Sequence, residues 1–382
     1  MIERMNPALS GVTPSAIRRF SALAKETPGC MALTLGEPDF DTPAPVVAAA
    51  ETALERGETH YIANNGREDL REGEAISAYE RERHGLHYAP DEVIVTVGAT
   101  QALFLALFGI LEPGDEVVVP TPAYPLYAEA AKLCHATPVF LDTTASAFQI
   151  EPDALAAVIT PRTKAVVLNS PNNPTGAVLS LPSLQAVHDA IIGRGIFAVC
   201  DDVYRELTYG ERPHSLAESE DLRSQVLVAQ SFSKPWAMTG WRMGYLLGDR
   251  KVVQRLALAH QFMVSSTPAP FQRACVEALD TDPSPMVETY RARRTYVLER
   301  LEAMGLPVVP PQGAFYVFPS VAEFPMGSEE FCTRLIREGG LALTPGSCFG
   351  AEGHVRLSYC YSNGDLREGL DRLERFISSI RQ

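Results

Sequence analysis

Between residues 90 and 250, short apolar runs alternate with helical stretches, and this alternation restricts the fold more than any other feature of the chain. Val93–Val97 (VIVTV), Glu116–Val119 (EVVV), Ala165–Leu168 (AVVL), Ile196–Cys200 (IFAVC), Val226–Ala229 (VLVA) and Tyr245–Leu247 read as strands. They are rich in Val and Ile and nearly continuous, as strands buried on both faces are. Helical stretches such as Ala102–Leu111 and Leu184–Arg194 lie between them. Parallel strands need a crossover and a helix supplies it, so the region is predicted to be α/β with a mainly parallel sheet.

The tail follows a different pattern. Tyr290, Val297, Leu298, Leu301 and Met304 recur at helical spacing, as do Leu366, Leu370, Leu373, Phe376, Ile377 and Ile380. Glu368 with Arg372 and Asp371 with Arg375 are charge pairs four apart, expected on an exposed helix face. Ala314–Phe318 (AFYVF) and His354–Tyr359 (HVRLSY) read as strands between the two helices. This is an α+β unit. The first 40 residues are too few to fold alone, and their apolar stripe, Ile17, Phe20 and Leu23-Ala24, is expected to dock on it.

Charge and apolar run length remove several function classes. Lys plus Arg number 33 and Asp plus Glu 47, a net charge of −14, which repels phosphate backbones and argues against nucleic acid as a partner. The longest apolar run, Ala102–Leu111, is about half of a membrane span. MIERMNPALSG has early charge and Pro but no long apolar stretch, so no secretory signal is expected. Seven scattered cysteines without a C-x-x-C pair point to a reduced, cytoplasmic protein with no zinc site. His84 and His87 have no third ligand at an evident spacing, and a solvated loop is the expectation there. Gly193-Arg194-Gly195 precedes a strand, whereas a dinucleotide-binding glycine motif must follow one.

The chemistry gathers just beyond the carboxyl ends of the strands, where open α/β sheets bind ligands. After VLVA comes Ser231-Phe232-Ser233-Lys234, then Arg242 within MTGWRMG. A lysine can form a Schiff base with a phosphate-bearing aldehyde while hydroxyls and a guanidinium hold the phosphate. After IFAVC come Asp201 and Tyr204. A carboxylate there suits a protonated pyridine nitrogen and a phenol suits a ring oxygen, although Asp201-Asp202 could equally start a helix. Gly98-Ala99-Thr100 follows VIVTV and opens a helix, whose free N–H groups suit an anion. Pro171-Asn172-Asn173-Pro174-Thr175-Gly176 follows AVVL and puts an Asn amide at the sheet edge, though as a bare turn it needs no function. Tyr124, after EVVV, can lay a ring on a flat cofactor or sit in a core. Together these elements supply every contact that pyridoxal phosphate needs.

Nearly end to end, the sequence resembles the fold-type I pyridoxal-phosphate enzymes, in the class I/II aminotransferases. The resemblance is carried by Gly36-Glu37-Pro38-Asp39-Phe40, Tyr61 with Gly66, Gly98–Gln101, PNNPTG at 171–176, Asp201 to Tyr204, SFSK with MTGWRMG, Gly313-Ala314-Phe315-Tyr316 and Val355-Arg356-Leu357-Ser358-Tyr359. Within the family it is most similar to the bacterial aminotransferase A type, through Ile17-Arg18-Arg19-Phe20, Leu207-Thr208-Tyr209 and Leu366–Glu374.

The resemblance implies a role for each residue. Lys234 carries the Schiff base and moves the α-proton, Asp201 holds the ring nitrogen protonated, and Tyr204 and Asn173 bind the ring oxygen. Tyr124 stacks on the ring. Ala99, Thr100, Ser231 and Arg242 cradle the phosphate, with Ser233 as an addition. Tyr61 reaches the phosphate of a neighbouring subunit, which implies a homodimer. Arg356 clamps the substrate carboxylate, with Asn173 and the Gly36 backbone beside it. Residues 41–285 become a large cofactor domain, and 1–40 with 286–382 a small domain that closes over substrate. The activity implied is amino transfer between an L-amino acid and a 2-oxo acid, 2-oxoglutarate as the expected acceptor. A carbon–sulfur β-lyase is the alternative, because both reactions begin with the same carbanion. A DNA-binding sensor on the same fold is disfavoured by the acidic charge. One branch of the family places a second arginine in the stretch His260–Ser266 (HQFMVSS). Its absence here favours neutral or bulky donors, with Tyr124, Phe315 and Tyr316 as apolar walls, unless Arg18 or Arg19 at the entrance reaches an acidic group.

Overall fold

The structure, a computed structural model, describes residues 4–14, 16–73 and 75–381. In chain order, α1 (Ala16–Glu26), β1 (Met31–Ala32), α2 (Ala44–Glu55) and α3 (Ile76–His84) lead into the strand–helix alternation. That alternation is β2 (Val93–Thr96), α4 (Gly98–Ile110), β3 (Glu116–Thr121), α5 (Leu126–Leu133), β4 (Thr137–Asp142), α6 (Pro152–Val158), β5 (Thr163–Asn169), α7 (Leu181–Ile191), β6 (Phe197–Asp201), β7 (Val226–Ser231) and β8 (Gly244–Leu247). Three helices follow, α8 (Arg250–Val264), α9 (Ala269–Asp280) and α10 (Ser284–Ala303). The tail adds β9 (Tyr316–Val317), α11 (Ser328–Arg334), β10 (Leu341–Ala342), β11 (Thr344–Pro345), β12 (Val355–Ser358) and α12 (Asn363–Ile380).

Seven strands form one sheet in the order β2-β8-β7-β6-β5-β3-β4. Its pairs are parallel except those of β8, which runs against both β2 and β7. Alternate residues of each strand enter opposite apolar cores. Val93, Val95, Val166, Val226 and Val228 go to one, and Ile94, Ala165, Val167, Leu227 and Ala229 to the other. Burial on both faces explains the unbroken Val/Ile runs.

Strand β4 is absent from the sequence reading. Its residues TPVFLD form the sheet edge, half-exposed, with a Pro, and lack the continuous apolar run of an inner strand.

A third core surrounds α10 and α12. It holds Tyr290, Val297, Leu301, Leu366, Leu370 and Leu373, together with Phe20 and Ala24 of α1. Val203, Tyr204 and Leu207, from the turn after β6, are rooted in that core too. The expected strand 314–318 shrinks to β9, because Ala314 takes a left-handed backbone (φ 55°) that extended pairing does not allow. Glu368 does pair with Arg372, at 2.7 Å, but Asp371 turns to Arg300, at 2.8 Å, instead of Arg375. His84 is not in a solvated loop. It ends α3 buried, 2.5 Å from Glu206.

Candidate active site

The parallel strands of the sheet end at the same edge, and the segments that follow β2, β3, β5, β6 and β7 line one cavity of about 290 Å³. The reversed strand β8 completes it. Because β8 begins where its neighbours end, with Gly244 opposite Thr96 and Ser231, it delivers Arg242 to that edge. The residues expected to act in catalysis or to hold cofactor and substrate line the cavity except Tyr61, which is 88% exposed elsewhere on the surface; of the expected apolar walls, Phe315 does not line it but is buried in the third core.

Lys234 follows β7. Its Nζ donates to the Gly36 carbonyl at 2.6 Å. Burial draws its pKa down to about 8, Arg356 and Arg242 adding to the fall while Cys360 and Glu37 oppose it. The ammonium form is thus disfavoured in the place where a nucleophilic amine is needed.

Asp201 is the last residue of β6, and no helix starts there, so its capping alternative falls away. Its Oδ2 accepts from the Tyr127 hydroxyl at 2.6 Å, and the Asn169 amide holds its backbone carbonyl at 2.8 Å. Burial pushes its carboxyl up to about 7, against the Tyr127 hydrogen bond and the Lys234 charge. A buried acid at a cavity wall is one that a cationic ring nitrogen would hold ionised.

The far end of the cavity suits an anion. α4 starts at Gly98 with no side-chain cap, which leaves its first-turn N–H groups for a ligand beside Thr100. Ser231, Ser233 and Arg242 face the same space. Arg242 is anchored by its Nη1 on the Thr239 carbonyl at 2.9 Å. Gly98 is required twice over: its φ is +73°, and a Cβ there would come 2.7 Å from Arg242 Nη2.

Arg356, on β12, is buried. Its Nη1 donates to Asn173 Oδ1 at 2.8 Å and its Nη2 to the Thr34 carbonyl, while its Nε has no partner. Asn173 spends its oxygen on Arg356, so its amide donors are left for a ligand. Its backbone is set by Asn169 Oδ1 at 2.8 Å. Tyr124 lines the wall edge-on to Tyr127, ring centres 6.1 Å apart.

Sequence reasoning missed Tyr127 and Asn169, and it treated Tyr316 as an apolar wall. The Tyr316 hydroxyl instead pairs with that of Tyr204 at 2.8 Å. The signal for Tyr127 was its place three residues after Tyr124, in the first turn of the helix that follows. Nothing in the sequence marked the tyrosine pair, which joins positions 112 apart. Of the two entrance arginines, Arg18 lines the cavity, while Arg19 pairs with Glu329 at 2.7 Å.

The family described as aminotransferase class I and II matches residues 28–373. The chain belongs to this family. It is similar to the probable N-acetyl-LL-diaminopimelate aminotransferase of Bacillus subtilis, at 42% identity over 99% of this chain and 97% of that one. It is similar as well to the aromatic-amino-acid aminotransferase 2 of Thermococcus litoralis, at 35% identity over 98% of both chains. Among solved structures, aspartate aminotransferase from Thermus thermophilus with maleate superposes with a TM-score of 0.91. It shares 38% identity and covers 97% of this chain and 99% of that one. The aminotransferase is accordingly a pyridoxal-phosphate-dependent enzyme of fold type I that transfers amino groups. The residues present fit the cofactor. A lysine whose ammonium form is weakened by burial, a buried acid held by Tyr127 and an uncapped helix start with Arg242 stand around one space. Among the described residues no helix is long and apolar enough to cross a membrane, and no cluster of ligating side chains suits a metal.

Proposed function

We propose that this enzyme moves an amino group from an L-amino acid to a 2-oxo acid, with Lys234 as both the attachment point of the cofactor and the proton carrier. The observation that carries the reading is the convergence of Lys234, Asp201, Tyr204 and Arg356 on one cavity, with the lysine drawn toward neutrality. When bound, the cofactor supplies an aldehyde that takes the amino group and a ring that delocalises the electron pair left by the α-proton. Lys234 Nζ would hold the aldehyde of the resting enzyme and, as the free amine, would carry the α-proton. Asp201 keeps a proton on the ring nitrogen, and Tyr127 keeps Asp201 aimed. Arg356 binds the substrate carboxylate with a planar fork and so fixes the Cα–H bond towards Lys234. Ala99, Thr100, Ser231, Ser233 and Arg242 hold the phosphate. Tyr124 covers the ring, and Asn173 with Tyr204 binds its oxygen.

The acceptor in this reading is 2-oxoglutarate, whose second carboxylate would meet Arg18 at the cavity wall. The cavity wall is otherwise rich in aromatic and aliphatic side chains, Tyr124, Tyr316, Ile17 and Leu35 among them, which suits neutral or bulky donors. The active unit is a homodimer. Asn64 bonds the Ala257 carbonyl at 3.1 Å and His260 at 3.1 Å, so the Tyr61 segment sits on α8, which carries the exposed Leu258 and Phe262. An apolar face of that kind suits a second copy, whose phosphate Tyr61 would reach. Residues 41–285 act as the cofactor domain, and 1–40 with 286–382 as the part that closes over substrate. Seven free thiols suit the reducing cytoplasm.

The test is the half-reaction. Holoenzyme mixed with one amino acid and no oxo acid is expected to lose its visible band and release one equivalent of 2-oxo acid. Run back with oxo acids, 2-oxoglutarate should restore the band faster than pyruvate; the reverse order would remove Arg18 from its role. A band that persists while pyruvate and ammonia accumulate from cysteine would mark a β-lyase instead.

A further inference from the structure

The tyrosine pair raises a question of proton count. Tyr204 and Tyr316 are buried with their hydroxyls 2.8 Å apart, and each has one proton to give. If Tyr204 donates to the ring oxygen of the cofactor, it cannot also donate to Tyr316. We infer that Tyr316 is a positioning residue: it donates its proton to the Tyr204 oxygen, leaving the single Tyr204 proton directed at the cofactor. This rests on the reading that Tyr204 faces that oxygen.

Three observations support the polarity. First, Tyr316 is held in place. It lies on β9, paired with Ser358 of β12, with its ring 4.9 Å from that of Phe315 and 5.7 Å from that of Tyr204. A Cβ on Gly36 would overlap its hydroxyl, so that glycine leaves the space the hydroxyl uses. Second, the Arg356 guanidinium lies over the Tyr316 ring, 4.6 Å from its centre. A positive charge there makes Tyr316 the better proton donor. Third, the surrounding charges differ in sign. Burial pushes both phenols up; for Tyr316 the next influence is Arg356, which draws it down, while Tyr204 is raised further by Tyr316 and Asp201 and lowered by Arg356 only after them. Cys360 and Tyr124 also face Tyr316 and push it up, and Lys234 lies 6.0 Å from the Tyr204 ring. Tyr316 therefore stands between the substrate handle, Arg356, and the phenol that meets the cofactor.

A hydrogen bond received by Tyr204 strengthens the one it gives. Losing Tyr316 as a donor therefore weakens the hold on an ionised ring oxygen. The experiment is a pH titration of the visible absorption of holoenzyme without substrate, for wild type, Tyr204→Phe, Tyr316→Phe and the double variant. Tyr204→Phe should raise the midpoint by about one pH unit and Tyr316→Phe by about half a unit. The double variant should match Tyr204→Phe alone, because Tyr316 acts through Tyr204. A midpoint that falls in Tyr316→Phe would mean that Tyr316 competes for the Tyr204 proton, and would overturn the inference. So would no change in Tyr316→Phe, or a double variant showing the sum of both shifts. If Tyr204→Phe itself leaves the midpoint unmoved, the reading of Tyr204 fails first, and this inference with it.

Discussion

At the scale of single residues, the site works by shifting two groups in opposite directions. Burial lowers the basicity of Lys234, to about 8, and raises that of Asp201, to about 7. A lysine captures an aldehyde only when neutral. Below pH 8 each unit removes about nine-tenths of the neutral form, so the capture rate should climb with pH and level off above about 8. Stopped-flow mixing of apoenzyme with cofactor across pH checks this, and a rate still climbing tenfold per unit at pH 10 would contradict it. Arg356 makes a sharper demand on geometry than on charge. Arg356→Lys keeps the charge but loses the fork and its bonds to Asn173 and Thr34. It should cut kcat/KM by about ten- to a hundredfold, while an unchanged value would remove the clamp role. Lys234, Asp201 and Arg356 were legible in the sequence because their motifs are local. Tyr127, Asn169 and the Tyr316 hydroxyl were not, because each meets its partner only once the strand order is known.

At the scale of elements, the site depends on how strand ends are held. The reversed β8 brings Arg242 to the edge at which β2 and β7 finish. Strand identities were readable from Val/Ile runs, but the direction of β8 was not, since a buried strand has the same composition either way up. The turn after β6, which follows Asp201 and carries Tyr204, is pinned from behind by an ion pair. Arg205 Nη2 lies 2.7 Å from both Glu80 oxygens, and Tyr245 donates to Glu80 at 2.6 Å. Both charges are buried, and without Glu80 the Arg205 guanidinium keeps only its longer contact to Asp202, at 3.5 Å. Glu80→Ala should cost about 3–5 kcal/mol of stability in denaturant unfolding. A loss below about 1 kcal/mol would mean that the turn is held by its apolar roots, Val203 and Leu207, alone. His84 and Glu206 extend the same buried cluster. The spacing of His84 and His87 could not reveal that, because Glu206 lies on a distant turn.

At the scale of the whole molecule, one cavity lies between the sheet edge and the core around α10 and α12, which reaches it through Tyr204 and Tyr316. What the fold does not explain within one chain is Tyr61, 88% exposed beside the equally bare Phe262 helix. In the proposed dimer its phenol contacts the phosphate of the neighbouring site. Tyr61→Phe should then weaken cofactor binding by about tenfold, read from equilibrium dialysis of the apoenzyme. An unchanged dissociation constant would leave Tyr61 as surface. The change from strand–helix alternation to α+β was readable in the sequence, but an interface between copies would leave only an exposed aromatic as its trace. If Lys234 carries the cofactor, reduction fixes the two together by a bond that survives digestion. Holoenzyme is reduced with borohydride, digested, and the modified peptide sequenced by mass spectrometry. The mass of the reduced cofactor is expected on Lys234, in the peptide that contains SFSK. Cofactor found on any other lysine, or on none, would contradict the account.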